Sequence, residues 1–256
     1  IRISQIEVAR KKAAINAMKA IDDSRAIKPL LNVLEDEDPG VRKTVIDVLS
    51  KIGDSQVIEP IINTLGDSES YVRKAASDAL RILAEKIGDM DIKRLASAYN
   101  RDMKKMLYRL ARAGDSRAIM PIGRILKKGS WMIRPSAAEA LGKLGNPLAI
   151  EILIIALDDE NFETRLSAVK ALSNFHDNQM IEPLIKTLSD SEWSVREAAA
   201  KALAQLNAPQ TIEPLITAIS DERCLVRKAA ANALVSLYTS KRVSDEQRLM
   251  ILQYRD

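Results

Sequence analysis

Seven cationic residues recur along this chain at a nearly constant interval. Arg42, Arg73, Lys104, Arg134, Arg165, Arg196 and Arg227 are separated by 31, 31, 30, 31, 31 and 31 residues. A period of roughly 20–50 residues marks a chain built from stacked copies of one supersecondary unit, because so short a unit cannot bury its own apolar face. Two further columns keep the same register. Six residues upstream of the cations stand Asp36, Asp67, Ala98, Lys128, Asp159, Asp190 and Asp221. Prolines 29, 60, 121, 183 and 214 form the third column, with Asp91 and Ile152 in the two remaining slots.

Each unit reads as two helices. Segment 57–65, VIEPIINTL, is a first helix (A), and 71–83, YVRKAASDALRIL, a second (B), joined by a polar turn. Proline is tolerated in the first turn of a helix, where its missing N–H has no intrahelical acceptor, so Pro60 marks the start of an A helix. Gly53-Asp54-Ser55 ends the preceding helix and caps the next. Val41, Val45, Val48, Leu49 and Ile52 fall on one face of a B helix, which makes that face a core surface. Sheet is not expected in a chain with 4% aromatic residues and an abundance of Ala, Leu, Ile, Lys and Glu.

The pattern of an apolar-Glu-Pro-Leu-Ile helix, an Asp-rich turn and a Val-Arg-x-Ala-Ala helix stands almost complete between Ile212 and Leu234. In this the chain resembles the HEAT-like repeats of the phycobilisome-lyase type. The resemblance implies an all-α, right-handed α-solenoid of about seven HEAT-like helical hairpins. It implies a single solenoid over 1–256: a half repeat at 1–21, repeats near 22–53, 54–84, 85–114, 115–145, 146–176, 177–207 and 208–239, and a C-terminal capping helix in 240–256. Val8 to Ile21 reads as a lone B helix with Lys11 in the cationic column. Ser244 to Gln247 is a capping box that opens a last helix to near Tyr254. The start Ile1-Arg2-Ile3, with neither an initiator Met nor a signal pattern, suggests a piece of a longer chain.

Candidates for chemistry are few. The Asp and Arg columns fit an ionic ladder between neighbouring repeats, formed by pairs such as Asp36 with Arg42 or Asp190 with Arg196. One His (His176) and one Cys (Cys224) cannot supply the several ligands of a zinc site. The same count argues against a di-iron HEAT-type hydroxylase, which relies on repeated His-Glu pairs. No glycine-rich phosphate loop is present, and neither cofactor nor metal is expected. The stretch Ile150 to Leu157 is too short to span a bilayer, which needs roughly 20 apolar residues. A lone cysteine points to a reducing, cytoplasmic setting.

Two features point to partners. Trp131, Phe162 and Trp193 each lie three residues before the cationic position, either packing over the adjoining repeat's loop or anchoring a partner. From Arg81 to Pro135 there are 14 Lys and Arg against five acidic residues, an excess of nine in a chain whose net charge is +4. A helical-wheel rotation from the apolar face turns Lys74, Arg81, Lys105, Arg109 and Arg112 to the solvent side, which the resemblance to HEAT stacks implies is a concave groove. The expected function is therefore a non-enzymatic protein scaffold that binds an acidic partner in that groove. Nucleic-acid binding, as in HEAT-like DNA glycosylases, and a bilin-lyase or chromophore-handling role are the alternatives.

Overall fold

The structure is a computed structural model that describes residues 2–18, 24–97, 103–239 and 243–253. Among these residues every regular element is helical. The chain divides into two compact units, Ile1–Ile133 and Arg134–Asp256.

The first unit contains α1 (Arg2–Met18), α2 (Ile27–Asn32), α3 (Pro39–Ile52), α4 (Ile58–Asn63), α5 (Ser70–Ile87), α6 (Met90–Ser97), α7 (Met103–Ala113) and α8 (Ile119–Lys128). The second contains α9 (Arg134–Leu144), α10 (Ala149–Ile155), α11 (Phe162–Leu172), α12 (Ile181–Thr187), α13 (Trp193–Leu206), α14 (Ile212–Ala218), α15 (Cys224–Thr239) and α16 (Asp245–Leu252). Pro29, Pro60, Pro121, Pro183 and Pro214 are each the third residue of an A helix, where the missing N–H costs nothing. Gly53 ends α3 with φ 68°, and the Asp54 carboxylate accepts the Gln56 N–H at 2.8 Å. The Ser244–Gln247 capping box is formed in both directions; Tyr254 lies outside the described residues.

In the second unit the B helices pack side by side, α9 on α11, α11 on α13 and α13 on α15. The A helices α10, α12 and α14 lie against α11, α13 and α15. The seam between the rows is apolar: Leu153, Leu172, Leu184, Leu203 and Leu215 are fully buried. Burying a Leu side chain contributes about 1.5–3 kcal/mol, so the stacking itself holds the fold.

The first unit begins the same way, with α1 on α3 and α3 on α5, and then departs from the pattern. Helix α6, an A helix by sequence order, packs broadly on α5, and α8 packs directly on α4 and the turn at 64–66. Two residues fit this arrangement. Ser77 on α5, where other repeats carry Ile46, Val169 or Ala200, donates its hydroxyl to the Ala96 carbonyl at 2.8 Å in a buried contact. Gly66 touches α8: a Cβ there would stand 2.2 Å from the Pro121 carbonyl oxygen.

The ionic ladder exists, but its rungs differ from the expected pairs. Arg42 does not bridge to the Asp36 carboxylate six residues before it; it donates from Nε and Nη2 to Asp67, 25 residues ahead, at 2.8 Å each. Arg165 to Asp190 and Arg196 to Asp221 repeat this two-pronged geometry at 2.7–3.1 Å. Arg134 reaches Asp159 at 2.9 Å, and Lys11 reaches Asp36 at 2.9 Å. The residue six before contributes only its backbone: Arg42 Nη1 donates to the Asp36 carbonyl at 2.7 Å, and Arg196 Nη1 to the Asp190 carbonyl at 2.8 Å. Arg42, Arg165 and Arg196 thus each close their own turn and grip the next. Ala98, the slot ahead of Arg73, lies outside the described residues; Lys128, ahead of Lys104, cannot serve as an acceptor.

These rungs carry a pH dependence. The hydrogen bond from Arg196 holds the Asp221 carboxyl below its ordinary range, against the opposing effect of burial. A depressed folded-state pKa gives stability that is present above the unfolded value, about 3.9, and lost as pH falls through the folded one. The urea midpoint of the chain should therefore drop as pH falls below about 4. An Asp221→Asn variant should be less stable at neutral pH and show a shallower fall; circular dichroism during urea titration across pH 2–7 checks both.

Candidate interaction surface

Helix α5 turns Lys74, Asp78 and Arg81 to solvent, because its opposite face carries the buried Val72, Ala76, Leu80 and Leu83. Lys74 Nζ pairs with Asp78 at 2.7 Å, and Arg81 pairs with the same carboxylate. The two cations are thus brought together and share one counter-charge.

Helix α7 is different. Its buried residues are Met106, Leu107 and Leu110, and its solvent face carries Lys104, Lys105, Tyr108, Arg109 and Arg112 with no acidic residue in the helix. The Arg112 guanidinium lies over the Tyr108 ring, 5.9 Å from its centroid. Such stacking fixes a long side chain that otherwise loses rotamer entropy on binding. Lys105, Arg109 and Arg112 thus form one cationic face. Among the described residues α5 and α7 do not pack broadly on each other; α6 is the neighbour of both. The five predicted residues are therefore two sets, one on each helix.

Cations nearer α8 are engaged in the fold. Arg117 is held by Asp115 at 2.7 Å and Asp89 at 3.3 Å, and Arg124 stands 3.8 Å from Asp67 and 3.9 Å from Glu35. Of the aromatics, Trp131 is 56% and Phe162 41% exposed, while Trp193 is half-buried with the Arg223 guanidinium 5.7 Å from its ring centroid. His176 is exposed in the turn after α11.

A family profile described as HEAT repeats matches residues 7–81, 92–173 and 181–246. The chain belongs to the HEAT-repeat family. No curated protein matches its sequence. Among solved structures, an engineered protein is 19% identical, with 86% of this chain and 99% of that chain covered and a TM-score of 0.45. A designed armadillo repeat protein in complex with the peptide (KR)4 is 22% identical, with 82% and 98% covered and a TM-score of 0.43. The complex of CpcE and CpcF of phycocyanin lyase from Nostoc sp. is 20% identical, with 95% and 86% covered and a TM-score of 0.37.

What this HEAT-repeat surface can do is donate hydrogen bonds. The guanidinium groups of Arg109 and Arg112 offer planar forks suited to carboxylate or phosphate, and Lys105 adds a point charge. Among the described residues no group of three or more His, Cys, Asp or Glu could hold a metal ion, and no helix is long and apolar enough to cross a membrane. Sequence reasoning put Asp78 on this face without pairing it, and missed Tyr108. Both had a signal: Asp78 lies four residues after Lys74 and three before Arg81, and Tyr108 lies four before Arg112, the spacings at which helical side chains meet.

Proposed function

We propose that this chain is a non-enzymatic scaffold that holds an acidic partner protein against the basic surface of its first unit. Lys105, Arg109 and Arg112 on α7 carry the main charge, and Lys74 and Arg81 on α5 the flank. What supports this reading is the solvent face of α7, which bears four cations and a tyrosine on a helix without a carboxylate. Clustered like charge adds steering and affinity for an oppositely charged partner. Exposed Trp131, on the same unit, is an apolar anchor in this reading, whereas Trp193 has the Arg223 guanidinium over its ring.

The test is a fluorescence titration with an acidic peptide, octaglutamate, and separately with duplex DNA, at several salt concentrations. Changing Lys105, Arg109 and Arg112 together to Glu should weaken peptide binding by about a hundredfold, since each surface charge contact contributes about 1 kcal/mol. Unchanged binding in that variant would remove the assignment. Tighter binding of DNA than of peptide, with a steep salt slope, would move the site to nucleic acid.

A further inference from the structure

We infer that the outer face of α15 is a docking surface for a helix of a partner protein that carries an aspartate in the turn before its first residue. The argument starts from α13. Trp193, Arg196, Ala200, Ala204 and Asn207 form the stripe that faces the next repeat: Arg196 grips Asp221, Arg223 lies over the Trp193 ring, and Ser236 of α15 hydrogen-bonds Asn207 at 3.2 Å. All five are buried or half-buried, Ala200 completely. One period later the same stripe on α15 is Cys224, Arg227, Ala231, Val235 and Tyr238, and all five are exposed, Val235 at 62%.

This stripe is already arranged to receive a helix. Arg227 Nη1 donates to the Asp221 and Glu222 carbonyls at 2.7 and 3.0 Å, the same two bonds that aim Arg165 and Arg196 at their aspartates. Among the described residues no carboxylate pairs with Arg227. Helix α16 packs on α14 and α15 and leaves the stripe open. Every aspartate that an arginine of this ladder grips also accepts the backbone N–H two residues on, at 2.8–2.9 Å, in the turn before a B helix. The chemistry that completes Arg227 is therefore an aspartate in such a turn, followed by a helix with small residues on one face to meet Ala231 and Val235. This surface is on the second unit and is independent of the basic face of α7.

Cys224, the chain's single cysteine, lies on the stripe and reports its coverage. The probe is a helix-stapled peptide copying residues 190–207, which carries Asp190 and the face that packs on α11. It should protect Cys224 from alkylation by N-ethylmaleimide. Replacing aspartate by asparagine in the peptide, or Arg227→Glu in the protein, should each weaken protection about tenfold, and the two together should be no worse than one. Val235→Lys should abolish it. All three protein or peptide changes are at exposed positions, and circular dichroism verifies that the variants fold. Unaltered alkylation at saturating peptide would overturn the proposal, as would protection insensitive to both Arg227 and the aspartate. If Cys224 becomes protected by raising the concentration of the chain alone, the occupant is a second copy and the partner-helix assignment fails.

Discussion

Replacing Asp67 by Ala should destabilise the first unit by about 3–5 kcal/mol, the largest effect expected of any single ladder residue. Asp67 is 1% exposed, and its carboxylate takes two hydrogen bonds from Arg42, itself 8% exposed. Removing the carboxylate leaves a guanidinium in a site that water barely enters, and the cost is set by that orphaned charge more than by the bond itself. The backbone suffers as well, because Asp67 Oδ1 accepts the Glu69 N–H at 2.9 Å and so shapes the entry to α5. Asp67→Asn keeps that acceptor and loses the charge, and should fall between the parent and the Ala variant. The contrast is Lys11→Ala. Its rung to Asp36 has the same 25-residue reach, but the lysine side chain is 43% exposed, and exposed pairs contribute about 0–1 kcal/mol. Urea denaturation followed by circular dichroism measures all three. An Asp67→Ala variant no weaker than Lys11→Ala would mean that solvent, not Arg42, satisfies the carboxylate.

The difference between expected and observed rungs has an arithmetic origin. With a 31-residue period, an aspartate six residues before one arginine also stands 25 residues after the arginine of the preceding repeat, as Asp67, Asp190 and Asp221 do for Arg42, Arg165 and Arg196. Periodicity establishes that these positions are equivalent without choosing between the two pairings. Sterics chooses: the turn's own backbone carbonyls occupy one edge of the guanidinium, as Asp36 and Glu37 do for Arg42, so the other edge points across the stacking interface. The HEAT-type hairpins, the proline positions and the capping box were legible because each depends on residues close in sequence. The place of α6 was not. The sequence shows the symptoms, a lost proline at Asp91 and a lost aspartate at Ala98, but the surface onto which α6 moves is made by Ser77 on another helix. For the cationic residues the charge was legible and the neutralisation was not, since a count of Lys and Arg over 81–135 omits Asp78, which sits just outside it and pairs with Arg81.

Gly66→Val is the sharpest test of the contact between α8 and α4. A side chain at 66 would begin with a Cβ 2.2 Å from the Pro121 oxygen and 2.9 Å from its carbonyl carbon, and both are backbone atoms of α8 that cannot rotate away. The helix must lift. Lifting it also withdraws Arg124 from Asp67 and Glu35, and exposes the buried Ile122 and Ile125. Overpacking of this kind costs about 1–3 kcal/mol. Elsewhere in the period the slot of Gly66 holds Glu35, Ser97, Lys127, Asp158, Ser189 and Ser220, each of which carries a side chain. Ser189→Val, at an exposed equivalent position, should therefore change stability by no more than about 0.5 kcal/mol. Hydrogen exchange gives the location: in Gly66→Val the amides of α8 and of the turn at 64–66 should lose protection, while those of α13 and α15 keep theirs. Equal costs for the two valine variants, with α8 still protected, would show that α8 does not rest on that turn and that α6 lies between α4 and α8 as the plain repeat order would have it.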